Sequence, residues 1–203
     1  YNVSSTPAGE YDMYHVRMTL TAGTGNLYVV FTMSWPYMPP EDGFSAWTGI
    51  APQSKLVGVK VLDYSGSGTS TGLINGINWI IANRMTYHIT VASMSLGLEN
   101  GAVDTTLDEK VDSLVSSGIV TTVSAGNDYP SYTIGSPGTA AYVITVAATN
   151  DQNGITSYSS NGEVSKNEYG LIKPDVAAPG GTFLPQFGNK IVSADSNDVD
   201  ASY

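Results

Sequence analysis

Apolar residues in this chain fall into two kinds of run. Leu56 to Leu62 is almost continuously apolar, as in a strand covered on both faces. Ile89 to Leu96, Ile119 to Val123 and Tyr142 to Ala148 read the same way. Between these runs, apolar residues return at helical spacing. Leu73, Ile77 and Ile80 form one stripe, widened by Ile74 and Ile81; Leu107, Val111, Leu114 and Val115 form a second. Thr106 and Glu109 have the spacing of a capping box, and Gly118 stands where that helix should stop. Strand and helix alternate from Gly49 onward, which predicts an α/β fold: a parallel β-sheet with right-handed crossovers and helices on both faces. Functional groups of such sheets gather at the carboxyl ends of the strands.

Residues 1–43 follow another pattern. Val16, Met18 and Leu20 alternate with polar residues, and a second β-rich run spans Leu27 to Trp35 after a Gly-rich turn. The two runs predict a hairpin, and the segment with Pro36, Pro39, Pro40 and Gly43 predicts a linker. Residues 1–43 are therefore expected to be a short β-rich segment, or accessory-domain strands with a linker, ahead of a main unit at 44–203.

Composition narrows the function classes. Of 203 residues, 41% are hydrophobic, which is enough for one sizeable core. The net charge of -10 opposes binding to nucleic acid, which needs clustered Lys and Arg. With no cysteine there is no thiol nucleophile and no disulfide frame. No apolar run approaches the roughly 18 residues of a membrane span, and no basic-then-apolar leader stands at Tyr1. Charged residues make up only 13%, against abundant Ser, Thr, Asn and Gly, which fits a secreted or cell-surface protein.

Two short segments of small residues follow buried strands. They are Ser95-Leu96-Gly97 and Ser124-Ala125-Gly126-Asn127. Small residues there let another backbone approach closely. Asn127 brings a neutral amide donor, of the type that stabilises a developing oxyanion. On spacing alone, Asn127-Asp128 reads first as a turn.

A series of further segments, in order, resembles the subtilases. It includes Gly49-Ile50-Ala51-Pro52, Lys55 to Asp63, Gly66-Ser67-Gly68, Ile74 to Trp79 and Met94-Ser95-Leu96-Gly97. It continues through Ser124-Ala125-Gly126-Asn127, Ile134 to Thr139, Thr156 to Gly162 and Lys173 to Gly180, so that residues 44–203 look like part of a subtilisin-like peptidase domain. The resemblance implies a serine endopeptidase with peptide or protein substrates. Asn127 matches the family's oxyanion-hole asparagine. Ser95, Leu96 and Gly97 match the strand that pairs with the bound peptide. Ser124, Ala125 and Gly126 match one wall of the primary specificity pocket. No cofactor is required for the implied chemistry. Structural calcium is compatible with the resemblance, at ligands the sequence does not identify.

The triad motifs are not found. No Asp-Thr-Gly or Asp-Ser-Gly is present, and Asp63 belongs to the Val-Leu-Asp match. Aligning Asp12 to Met18 with the family's His-Gly-Thr-His motif would place Asp12 at the catalytic position, and the alternating pattern there makes His15 a strand residue instead. The serine motif Gly-Thr-Ser-Met-Ala is expected after Tyr203 in a longer parent. This chain alone is expected to be inactive. Gly68-Thr69-Ser70-Thr71-Gly72 has the form of a nucleophile elbow, but a loop separates it from the preceding strand, and His88 is too near in sequence to serve it. Asp195, Asn197, Asp198 and Asp200 cluster oxygens without the glycine of an EF-hand loop. The alternative to an enzyme is a non-catalytic structural or peptide-binding module of the same fold, with further domains of the same protein as partners.

Overall fold

The structure is a computed structural model, and it describes residues 28–31, 51, 54–63, 65–129, 133–150, 152–162 and 170–181. Four parallel strands form its centre: β3 (Val91–Met94), β4 (Val120–Ser124), β5 (Ile144–Thr149) and β6 (Val176–Pro179), in that order. Register runs Val91 to Val120, Thr122 to Ile144 and Val146 to Val176, so all four carboxyl ends lie at one edge of the sheet. Two further strands, β1 (Tyr28–Phe31) and β2 (Leu56–Val59), pair antiparallel. The helices are α1 (Ser70–Tyr87) and α2 (Thr105–Ser116). A parallel sheet with packed helices is the expected architecture, although among the described residues α1 and α2 both pack on one face of the sheet and not on both.

Period-3.6 stripes become the core. Leu73 and Ile77 of α1 and Leu107, Val111 and Leu114 of α2 pack on Ala92, Ile119, Val123 and Val143. Leu107, Val111 and Leu114 are 0% exposed, and burial of such a side chain contributes about 1.5–3 kcal/mol. Gly76 lets α1 approach: a Cβ there would lie 2.5 Å from Val61 Cγ1. The opposite face of the sheet carries Val91, Val120, Ile144 and Val176, all exposed.

Several expectations change in detail. Leu56–Val59 is not a member of the parallel sheet. It pairs with Tyr28–Phe31, and Leu56 is 50% exposed, so an unbroken apolar run here marks a partly covered ribbon. The expected hairpin partner of residues 28–31, around Val16 to Leu20, lies outside the described residues, as do His15, Asp195, Asn197, Asp198 and Asp200. Helix α2 is capped by Asp104, whose Oδ1 accepts from Leu107 N at 3.1 Å, and not by Thr106. Hydrogen bonds from the Ser70 side chain first, then from the Leu107 backbone, hold the Asp104 carboxyl below the usual carboxylate range. Gly118 does follow the end of α2, at φ +85°. Asp63 is a loop carboxylate whose Oδ1 accepts from Ser65 N, Ser65 Oγ and Ser67 N. His88 caps α1 in the left-handed region.

Polar side chains tie the connection ahead of β5 to the helix layer. Buried Asp108 accepts from Thr139 Oγ1 at 2.6 Å, and Asp112 accepts from the backbone of Ala141 and Tyr142. Asp108 and Asp112 are spaced by four, so one stripe of α2 holds this connection.

Lys173 joins β5 to β6. Its ammonium is buried and donates to Val143 O at 2.8 Å and Asp175 Oδ2 at 2.7 Å; the same Oδ2 accepts from Thr145 N. Lys173→Met would leave a buried carbonyl and a carboxylate without this donor. Asp175 is 39% exposed and keeps water, so the loss is smaller than for a fully buried pair. We expect unfolding free energy to fall by about 1–3 kcal/mol, read from denaturant unfolding of the whole protein. An unchanged midpoint would show that the ammonium contributes nothing net.

Candidate functional site

Each of the four parallel strands delivers its last residues to one cleft of about 360 Å³. Ser93, Met94 and Ser95 come from the end of β3, Thr122 to Asn127 from β4 and the turn after it, Val146 to Ala148 from β5, and Ala178 to Gly180 from β6. Of the sequence candidates, Ser95, Ser124, Ala125, Gly126 and Asn127 line it. Leu96 and Gly97 continue beyond its wall, joined to it through Ser124 Oγ, which donates to Leu96 O at 3.4 Å. Strand β3 is an edge of the four-stranded sheet among the described residues, and Ser95 and Gly97 at its end are exposed. An exposed edge of this kind can take up an extended peptide through backbone bonds.

The turn after β4 has a defined local cause. Ala125 extends the ladder by donating to Val146 O at 2.9 Å and is 2% exposed. Gly126 then reverses the chain at φ +102°, a conformation that costs most residues free energy and glycine little. A Cβ at Gly126 would also stand 3.1 Å from Ser160 Oγ. Asn127 follows, exposed, at the cleft; no hydrogen bond of its side chain to the described residues is found. The bonds that hold this turn come from elsewhere: Ser160 N donates to Gly126 O at 2.9 Å, and Asp128 N donates to Ser160 Oγ at 3.0 Å.

Sequence reasoning gave no role to Ser159, Ser160, Pro179 or Gly180. Ser159 Oγ accepts from Ala148 N and donates to Ser160 O, and Tyr158 Oη donates to Gly180 O at 2.9 Å. The signal was present in Tyr158-Ser159-Ser160, a polar stretch that turns out to hold two residues exposed by 1% or less. Neither Ser70 nor His88 lines the cleft; Ser70 is the first residue of α1, and Thr69 Oγ1 caps that helix. Among the described residues, no group of three or more His, Asp or Glu is placed to hold a metal ion. No helix among them is long and apolar enough to cross a membrane.

Comparison with known proteins agrees with this geometry. A sequence model described as "Subtilase family" matches residues 22–202. The chain is 42% identical over 142 residues to subtilisin of Bacillus pumilus, a match that covers 66% of this chain and 48% of that protein. It is 41% identical over 152 residues to serine protease AprX of Bacillus subtilis (strain 168), covering 66% and 33%. Among solved structures, it is similar to sphericase, with a TM-score of 0.55 and 32% identity, covering 66% of this chain and 46% of that one. A cold-adapted subtilisin-like serine proteinase gives 0.51 and 32%, covering 66% and 44%. The chain thus spans about half or less of the relatives it matches.

Proposed function

Because this chain belongs to the subtilase family, we propose that the whole protein is a serine endopeptidase that cleaves peptide bonds through an acyl-enzyme. In this proposal the present residues supply the oxyanion and peptide-binding side of its cleft, and the nucleophile, base and orienting carboxylate come from the rest of the protein. A substrate strand lies along Ser95-Leu96-Gly97, its backbone bonding the edge of β3. The side chain before the scissile bond enters between that strand and Ser124-Ala125-Gly126. As the serine attacks, negative charge gathers on the former carbonyl oxygen, and the Asn127 amide donates to it. A donor fixed in advance costs no reorganisation at the moment of reaction. The proton relay needs no metal or organic cofactor.

One observation carries the assignment. The Asn127 side chain stands exposed at the cleft, while the backbone on either side of it is tied down through Ser160. An asparagine whose task was to shape the turn would spend its amide on nearby backbone. The alternative is a non-catalytic structural or peptide-binding module of the same fold. Such a module has no use for an oxyanion donor. Residues 1–43 are proposed as a β-rich segment or accessory strands with a linker; the family match from residue 22 and the pairing of Tyr28–Phe31 with Leu56–Val59 favour the segment over a separate domain, and the low charge content supports a place outside the cell or on its surface. The expected result is hydrolysis of a chromogenic peptide by the whole protein, abolished by an organophosphorus serine reagent. Binding of peptides without any turnover would favour the module.

A further inference from the structure

Asn127 sits between two hydrogen bonds that end on a single buried residue. Ser160 is 0% exposed. Its backbone N–H donates to Gly126 O, one residue before Asn127, and its Oγ accepts from Asp128 N, one residue after. Gly126, at φ +102°, turns the chain so that both groups face the same serine, and its bare Cα leaves room for the Ser160 hydroxyl. Ser160 is itself fixed to the sheet. Its carbonyl accepts from Ser159 Oγ, and that hydroxyl accepts in turn from Ala148 N of β5. The backbone under the Asn127 amide is therefore referenced to the central strands through residue 160.

We propose that Ser160 is a positioning residue for the Asn127 amide, holding the Gly126–Asp128 turn from both sides so that the amide points into the cleft. This rests on the oxyanion assignment of Asn127. An oxyanion donor works only while its N–H stays at hydrogen-bond distance from the position the charged oxygen will occupy. Ser160→Ala keeps the backbone bond to Gly126 and removes the acceptor for Asp128 N. The far side of the turn then loses its tie to Ser160, leaving the longer bond from Tyr129 N to Tyr158 O at 3.5 Å beyond it, and the amide spreads over orientations that miss the oxygen. Peptide binding along Ser95-Leu96-Gly97 does not depend on that bond.

The test is a double-mutant cycle in the whole protein, with rates expressed per titrated active site so that unfolded molecules do not count. Ser160→Ala should lower kcat on the order of tenfold with KM little changed, less than complete loss of the donor, because misplacement weakens the interaction without deleting it. In the Asn127→Ala background, the same change should alter kcat by less than about twofold, because the two residues act as one unit. Lys173→Met serves as a control that lowers stability away from the turn; its kcat per site should match the parent. An equal kcat loss from Ser160→Ala in both backgrounds would show that Ser160 acts by another route and would overturn the proposal. A matching kcat loss in Lys173→Met would reduce the effect to general loosening and overturn it too. If Asn127→Ala alone left kcat unchanged, the oxyanion assignment itself would fall, and the role of Ser160 with it. An unaltered kcat in Ser160→Ala beside a large loss in Asn127→Ala would overturn only the positioning role.

Discussion

In the whole protein, with Asn127 in the proposed oxyanion role, Asn127→Ala is expected to lower kcat by about a hundred- to a thousandfold and to leave KM close to its parent value, a magnitude carried over from loss of one oxyanion donor in subtilisin. The split between the two constants follows from what the amide contacts. A ground-state carbonyl carries partial charge, and the tetrahedral intermediate carries a full one. A fixed donor therefore stabilises the second more than the first, and its removal raises the barrier without weakening substrate binding. The loss corresponds to about 3–4 kcal/mol of transition-state stabilisation. A residue that only shaped the turn would behave otherwise: the melting temperature would drop and the turnover of folded molecules would persist. The exposed side chain at Asn127 and the bonds that reach its neighbours from Ser160 make the first outcome the expected one.

The layers of the fold were largely legible in the sequence, because periodicity reports burial directly. Leu73 and Ile77, and Leu107, Val111 and Leu114, were chosen for their spacing and are buried. Pairing partners were less legible. Leu56–Val59 has the apolar character of a central strand, yet its partner is Tyr28–Phe31, and nothing local to either segment specifies that ladder. Helix starts were ambiguous for a related reason. Thr106 has the spacing of a capping box, yet the cap is Asp104, set by where the chain enters the helix, with Asp104 N held by Ser136 Oγ far along the sequence. Strand β6 was passed over because Val176-Ala177-Ala178-Pro179 lacks the bulk of a typical strand.

Within the candidate site, Ser95, Ser124, Ala125, Gly126 and Asn127 were legible as small-residue segments after buried strands, and they meet at the cleft, whereas Leu96 and Gly97 lie beyond it. Ser160 was not legible, since serine in a polar stretch ordinarily reads as a loop. Its burial at 0% and its bonds to Gly126 and Asp128 depend on two chain segments meeting after β4 and β5. The acids Asp108 and Asp112 would likewise pass for a solvated helix face until the segment leading into β5 is seen to use them.

The second large effect concerns the location of the nucleophile. An activated serine needs a base within hydrogen-bond reach and a group to orient that base. None of the family's three triad motifs occurs in these 203 residues. Of the two histidines, His88 follows α1 as its left-handed cap outside the cleft, and the cleft contains no histidine among its lining residues. Ser70, the serine most suggestive of a nucleophile by its motif, begins α1 and lies outside the cleft. The 203-residue chain by itself should therefore show almost none of the peptide hydrolysis expected of the whole protein. The contrast is close to all-or-none, because removing the triad as a unit costs about six orders of magnitude in the subtilisin case.

The most direct measurement is covalent labelling with an organophosphorus serine reagent, followed by peptide mapping of the modified residue. The expected result is stoichiometric labelling of the whole protein at one serine that is not among residues 1–203, with no labelling of the 203-residue chain alone. Stoichiometric labelling at any serine within this chain, Ser70 included, would contradict the account, as would a folded whole protein that resists the reagent altogether.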